Sequence, residues 1–492
     1  MDNVPRIKLG LVAASRDCFP RALSLERAGR VSEECGKLGL DVTLCDTMVE
    51  SEEDSLSALK ELEDKGLNAL AVYLGNFGPE GPVSLLAQRF EGPVMVAAAA
   101  EESADKLIQG RGDAYCGLLS TRYNLALRKV KVYLPEFPVG EPEEVAGMVE
   151  RFIPVARVVA GVRGLKVISF GPRPQDFYTC HAPLEPLYEL GVEVMENSEL
   201  DLYDVFCMAE AHPMLKETEQ DMQAELGENI DPRLLDRMAR LELALTDYCK
   251  DYTGASSYVA LADKCWPAFE KYFGCVPCYV NSRLSARGIP VACEADIYGA
   301  VSQYLATAAT VKPTTLLDIN STVPRDMFRQ AGAAAGSYSH GDLFMGFHCG
   351  NTPKSCLKTS GIGYQLIMHR LMEPDSEPDI TRGTLEGQIA PGEITIMRVQ
   401  ATPGAGMAAY AAEGEVLDID PRTFGGTGVI AIPQMARFYR HVLLEKAFPH
   451  HTAVAFDRAG HTVSAALKLL GVDDISFNLP SATLYPGESP YW

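Results

Sequence analysis

Cations are scarce in this sequence: 44 Lys and Arg stand against 66 Asp and Glu, a formal charge of −22, and no stretch gathers the basic residues together. The phosphate-neutralising surface that nucleic-acid binding requires is therefore missing, and DNA and RNA are excluded as partners. Long hydrophobic runs are missing too. Nothing approaches 18 uninterrupted apolar residues, so no membrane-spanning helix is expected. The dinucleotide fingerprint and the phosphate loop are both absent. The "GGTG" at 425–428 has neither their spacing nor a basic residue and reads as a turn. No repeat and no low-complexity tract occurs. The N-terminal stretch has no long apolar segment of the secretory kind, so neither a signal nor a transit peptide is expected. Paired CxxC motifs are lacking as well: "CVPC" at 275–278 stands alone among 13 scattered cysteines. Without a second pair a structural zinc site is not supported, and reduced, buried thiols in a cytoplasm are expected.

What is present is the composition of an ordinary globular protein, with 47% hydrophobic and 22% charged residues. A chain of 492 residues divides into about three domains, each long enough to bury its own core. The first 160 or so residues alternate apolar runs ("LGLVAA", "DVTLCD", "NALAVYLG", "PVMVAAAA") with amphipathic stretches. In the first of these stretches Leu25, Ala28, Val31 and Cys35 share a helical face. Such alternation predicts an open parallel sheet with its sites beyond the carboxyl ends of the strands. A long amphipathic stretch from about Pro142 to Val162 closes the unit, and "GLKVISFG" starts the rhythm again. After about residue 311 glycine rises, helices thin out, and strands such as "EITIMRVQ" and "GVIAIP" sit between turns. The expected class is α/β: two Rossmann-like or flavodoxin-like parallel-sheet domains over 1–163 and 164–310, then a β-rich C-terminal domain over 311–492.

Two apolar runs end in carboxylates, "GIPVACEAD" at Glu294 and "PTTLLDINST" at Asp318. Their spacing of 24 positions suits a strand-to-strand crossover through one helix. If both runs are strands of one sheet, both carboxylates emerge at its edge and can share a ligand. Taken singly, each is better explained as a helix cap or a complement to the helix dipole. "FHCGN" supplies His348, and "FPHHTAVAF" supplies His450 and His451, of which only one is expected to face a given site because strand side chains alternate. Two carboxylates with one or two imidazoles make an oxygen and nitrogen set suited to a divalent ion such as Mn²⁺.

These segments, with "CWPAF", "GEITIMRV" and "GGTG", resemble the L-fucose isomerase and L-arabinose isomerase family of metal-dependent aldose–ketose isomerases. The resemblance is specific over roughly residues 262–492 and rests on the βα rhythm alone before that. It implies two α/β domains and a β-rich third, a cytoplasmic homo-oligomer, usually a hexamer, and Mn²⁺, with Co²⁺ or Mg²⁺ as alternatives. Position by position, it implies Glu294 and Asp318 as catalytic carboxylates and metal ligands, His451 and His348 as further ligands, and His450 beside the substrate. Trp266, Arg16 and Gln175 of "RPQDF" are candidate substrate neighbours. The motifs mix fucose-type and arabinose-type features, so the expected substrate is a fucose- or arabinose-type sugar or a modified hexose, sulfonated ones included. The competing readings are a non-catalytic cytoplasmic sugar-binding protein, since paired α/β domains also build such receptors, and another metal-dependent sugar epimerase or lyase.

Overall fold

A computed structural model describes residues 1–108, 110–227, 230–404 and 406–491. The chain divides into two compact units, residues 5–160 with 465–471, and residues 1–4 with 161–464 and 472–492. No helix among the described residues is long and apolar enough to cross a membrane.

In the first unit the apolar runs become parallel strands β1 (Leu9–Ala14), β2 (Val42–Leu44), β3 (Ala69–Leu74), β4 (Val94–Ala99) and β5 (Val139–Gly140), in the order β2-β1-β3-β4-β5. That is the flavodoxin-like order. Strands β1, β3 and β4 are buried along their whole length, as strands covered by helices on both faces must be. The inward stripe of helix Arg21–Lys37 differs from the expected one: Ala28, Val31 and Cys35 are buried, but Leu25 is exposed. Ser24 and Arg27 point inward in its place, the Arg27 guanidinium donating through its two terminal nitrogens to the Gly75 carbonyl (2.8 Å) and Glu101 (3.0 Å).

The second unit holds two sheets. Strands β6 (Leu165–Phe170), β7 (Glu193–Asn197), β8 (Tyr258–Ala262) and β9 (Val291–Ala292) are parallel and ordered β7-β6-β8-β9. Helix Pro232–Tyr252 supplies much of their core through Leu234, Met238, Leu241 and Leu245. The other sheet is mixed and has nine strands. In chain order they are β10 (Thr314–Ser321), β11 (Leu343–His348), β12 (Gly361–Tyr364), β13 (Arg382–Gln388), β14 (Gly392–Ala401), β15 (Met407–Leu417), β16 (Gly426–Ala431), β17 (His451–Ala455) and β18 (Asp474–Phe477). Their order is β12-β13-β16-β11-β10-β17-β14-β15-β18, and an extra pairing of β15 with β16 closes six of them into an antiparallel ring. Two parallel α/β sheets and a β-rich C-terminal sheet are thus the architecture of the chain.

One premise of the sequence reading needs correcting. Glu294 and Asp318 do not leave a common sheet at a common edge: β9 belongs to the parallel sheet, β10 to the mixed one, and Asp318 lies inside β10 rather than at its end. The crossover helix, Ile297–Thr310, is present as expected, but it is buried on every face through Ala309. A helix buried all round packs between layers rather than upon one. It accordingly lies against β6, β8 and β9 of one sheet and β10, β14 and β17 of the other.

Candidate active site

The parallel sheet of the second unit contributes from its carboxyl edge. The loop after β6 carries Phe177 and Cys180, the segment after β8 carries Trp266, and the turn after β9 carries Glu294. Glu294 sits in left-handed backbone (φ 61°, ψ 27°), followed by Ala295 at φ 54°. Such conformations cost about 1–2 kcal/mol for a residue with a Cβ, and strain of this kind concentrates where a side chain must be aimed. Ala295 N–H donates to the Asp263 carbonyl (2.6 Å) and helps to fix the turn. In metal-free protein, Glu294→Gly is expected to be more stable than Glu294→Ala, by up to about 1 kcal/mol, because only glycine relieves the strain. Urea unfolding midpoints of the two variants measure this.

The mixed sheet contributes by register. Asp318 on β10 pairs directly with His451 on β17 and, on its other side, with Phe347 on β11. Directly opposed residues share a face of the sheet, which brings the Asp318 carboxylate and the His451 ring together. His451 Nε2 lies 3.0 Å from Glu294 Oε2 and 3.5 Å from Asp318 Oδ1. His450 Nε2 is also 3.7 Å from Asp318 Oδ1. Both members of the histidine pair therefore reach one carboxylate, against the alternation expected of a strand. β17 begins only at His451, so His450 belongs to the preceding bend, where alternation does not hold.

Two residues absent from the sequence reading orient this cluster. Asp296 Oδ2 accepts a hydrogen bond from His451 Nδ1 (2.8 Å), and both Asp296 oxygens receive the guanidinium of Arg398 on β14 (2.7 and 2.9 Å). All three side chains are buried. Burial alone would raise the Asp296 carboxyl, but the Arg398 charge and the His451 hydrogen bond hold it well below the usual carboxylate range. Asp296 also caps helix Ile297–Thr310, its Oδ1 accepting from Gly299 N–H (2.8 Å). The signals were present: an Asp in capping position directly before a helix, and a lone charge in the apolar run "ITIMRV", which burial obliges to find a partner.

Charges in the cluster are strongly perturbed. Burial opposes a charged His451, yet the hydrogen bonds of Nδ1 to Asp296 and Cys180 and the close Glu294 carboxylate carry it well above an ordinary histidine. Against its own burial, Glu294 is held below the usual range by the His451 contact and by the charges of His451, His348 and His450. Burial, with the Glu294 charge added, pushes Asp318 up to about 6. Burial lowers His348 and His450 to about 4 each.

Two polar atoms at the centre have no hydrogen bond among the described residues, His451 Nε2 and Asp318 Oδ1. Nε2 is close to Glu294 Oε2 but off the line a hydrogen bond needs. Unpaired polar atoms in a buried site call for a partner, and a cation among two carboxylates and an imidazole supplies one. Two groups of side chains place their ligand atoms within 4.8 Å of one another: Asp318, His348 and His451, and Cys180, Glu294 and His451. Cys180 lies 3.9 Å from Nδ1, the nitrogen already engaged by Asp296, and burial raises its thiol pKa. The oxygen and nitrogen set around Nε2 is therefore the better fit for a divalent ion. The Asp296 hydrogen bond behind it is the usual second support of a ligating histidine.

Beside the cluster is a cavity of about 210 Å³ bordered by Glu294, Asp318, His348, Phe177, Trp266 and Gln365, among others. Trp266, one of the expected substrate neighbours, borders this cavity. Gln175 is exposed in the loop that carries Phe177 and does not border the cavity. Arg16 belongs to the first unit, where it donates to the Gly78 carbonyl (3.0 Å), pairs with Glu80 (3.5 Å) and covers the Phe77 ring.

Two family models match the sequence. One describes the N-terminal domain of fucose/sulfoquinovose isomerase and covers residues 10–163; the other describes the C-terminal domain of L-fucose isomerase and covers residues 346–476. Together they take in more than half of the chain. This chain belongs to the fucose isomerase family. That family consists of aldose–ketose isomerases and is generally metal-dependent. The family chain described above is 28% identical over 331 residues to a sulfoquinovose isomerase of Alkalicoccus urumqiensis, covering 65% of this chain and 67% of that one. It is 30% identical over 305 residues to a sulfoquinovose isomerase of Clostridium sp. strain MSTE9, 61% of either chain, and 26% identical over 332 residues to one of Priestia aryabhattai, 65% and 66%. The chain thus matches 61–67% of the length of these relatives. Among the site residues of this fucose isomerase-family chain, His348, His450 and His451 fall inside the C-terminal family match, whereas Glu294 and Asp318 fall between the two matches.

Proposed function

We propose that this chain is a metal-dependent isomerase that interconverts a sulfonated aldohexose and its ketose through an enediol. The observation that carries the reading is the convergence of Glu294, Asp318 and His451 beside a cavity, with relatives that act on sulfoquinovose in support. Glu294, Asp318 and His451 Nε2 would hold the ion, Mn²⁺ by the chemistry of the donors, with His348 as a further ligand. Bound there, it would supply Lewis-acid stabilisation of the negative charge that develops on the sugar oxygens. Exchange of aldose and ketose moves one proton between adjacent carbons and another between their oxygens. Glu294 and Asp318 divide these two transfers, both side chains bordering the cavity in which the open-chain sugar lies. Asp296 and Arg398 keep the His451 ring turned so that Nε2 faces the carboxylates. Trp266 and Phe177 close the cavity against water, and Phe177 also packs edge-on against His450 (5.5 Å between centroids). His450 does not border the cavity, but its Nε2 is 3.7 Å from Asp318 Oδ1, and this contact supports a role for it beside the substrate-facing carboxylate.

The members of the ligand set are not equal. Cys349 N–H donates to His348 Nδ1 (2.9 Å), which favours the ring proton on Nε2 and competes with an ion there. His348→Gln is therefore expected to weaken Mn²⁺ binding less than His451→Gln does, in a calorimetric titration of the chelated protein. The reverse order would make His348 the principal imidazole. The function itself is tested by supplying sulfonated and neutral aldoses with Mn²⁺, then repeating the assay after chelation. Ketose formation that is lost on chelation and restored by Mn²⁺ is expected. Binding of the sugar with no conversion under any metal would favour the non-catalytic sugar-binding reading.

A further inference from the structure

The sheet face that carries Asp318 continues past the site into a second cavity. Asp318 on β10, Phe347 on β11 and Thr427 on β16 are directly opposed in successive strand pairs, so all three project from one face. Phe347 and Ile367 border both the inner cavity and this outer one, which has a volume of about 390 Å³. Strands lie about 4.8 Å apart, so Thr427 is about 10 Å from Asp318. A six-carbon open chain, with bonds of about 1.5 Å, reaches about 6 Å from one end to the other. A sugar with its first two carbons at Asp318 and its chain running across the sheet brings its sixth carbon to Phe347, at the border of the outer cavity.

The chemistry of that cavity is unusual for a chain with a net charge of −22. No acidic residue borders it among the described residues, and Arg422 is its one cation. Among the described residues the Arg422 side chain has no ion-pair partner; its Nη1 donates to Gln330 Oε1 (2.9 Å), while Asp420 accepts only its backbone N–H (2.9 Å). Ser321, Thr322 and Thr423 bring hydroxyls to the wall, and among the described residues none of the three spends its hydroxyl on a hydrogen bond within the chain. A guanidinium with several free hydroxyls is a donor set for a tetrahedral oxyanion.

We infer that the outer cavity seats the sulfonate of the substrate, with Arg422 as its cationic partner and Ser321, Thr322 and Thr423 as hydroxyl donors. The inference rests on the sulfonated-aldose reading and assigns the residues that make the choice. A sugar 6-phosphate would present the same tetrahedral oxyanion with more charge. A single guanidinium among neutral hydroxyls matches the monoanionic sulfonate better.

The test compares wild type, Arg422→Met and Arg422→Lys on a 6-sulfonated aldohexose, the corresponding 6-phosphate and the neutral hexose. Arg422→Met should lower kcat/KM for the sulfonated sugar about 10- to 100-fold, through KM and with kcat little changed. The preference for sulfonated over neutral sugar falls by the same factor, and Arg422→Lys recovers part of it. A preference unchanged in Arg422→Met overturns the assignment, as does a wild-type preference for the phosphate. A 6-sulfonated hexitol, which cannot isomerise, gives a readout independent of turnover. Its calorimetric affinity should drop in Arg422→Met while that of the plain hexitol holds, and equal affinity in both proteins overturns the subsite alone. If wild type converts no aldose at all, the isomerase reading fails, and the hexitol measurement still decides the subsite.

Discussion

Replacing Glu294 by Gln is expected to lower the rate of isomerisation by at least about a hundredfold, the ordinary worth of a positioned acid or base group, while the protein should unfold as cooperatively as before. The substitution keeps the size of the side chain and removes only its charge. It therefore leaves the left-handed turn at 294 as it is and takes away a proton acceptor and a ligand oxygen together. Asp318→Asn should behave alike, since its Oδ1 sits 3.5 Å from the same His451 nitrogen. The double variant should be little worse than either single one, because groups that act as a unit do not contribute additively. Rates with saturating Mn²⁺, read beside metal content, separate loss of ion from loss of proton transfer. Full activity in Glu294→Gln with the ion bound would remove that residue from the chemistry.

The largest effect on stability is expected at Asp296. Its carboxylate faces Arg398 at 2.7 and 2.9 Å, and the two side chains are 2% and 0% exposed. Removing one partner of such a pair strands a buried charge and costs about 3–5 kcal/mol. Asp296→Ala also removes the cap of helix Ile297–Thr310 and the acceptor of His451 Nδ1. Asp296→Ala combined with Arg398→Met should recover part of the loss, because no unpaired guanidinium is then left inside. Urea unfolding of the three proteins measures this, and a loss of less than about 1 kcal/mol in Asp296→Ala would show that the pair contributes nothing net. Acid behaviour follows from the sign of the shift. Because the Asp296 pKa is depressed on folding, its contribution is present above the ordinary aspartate pKa of about 3.9 and is lost as pH falls through the lower folded value. Asp296→Asn should therefore lose less stability on acidification than wild type.

Much of the fold was legible because parallel strands buried on both faces are spelled as apolar runs: "LGLVAA" and "GLKVISF" became β1 and β6 almost residue for residue. The site was legible one residue at a time. Glu294, Asp318, His348 and His451 are marked by carboxylates and imidazoles that interrupt apolar segments, but the way they meet is set by pairings between strands far apart in sequence. β10 takes β17, some 135 residues later, as its neighbour, and no local pattern encodes that register. Asp296 and Arg398 were missed for the same reason. Each alone has an ordinary local explanation, a helix cap and a strand charge, and only their contact across 102 positions gives them a common role. The reach of His450 to Asp318 depended on where β17 starts, and strand boundaries are the least certain part of any reading from pattern.

The most direct measurement is a titration of the chelated protein with Mn²⁺, followed by calorimetry, for wild type and for His451→Gln. Wild type is expected to take up one ion per chain and to regain isomerase activity in step with it. His451→Gln, lacking the imidazole that lies 3.0 Å from Glu294, is expected to bind at least tenfold more weakly. Isomerisation that survives exhaustive chelation, or an ion held as tightly without His451 as with it, would contradict a shared metal centre at these residues.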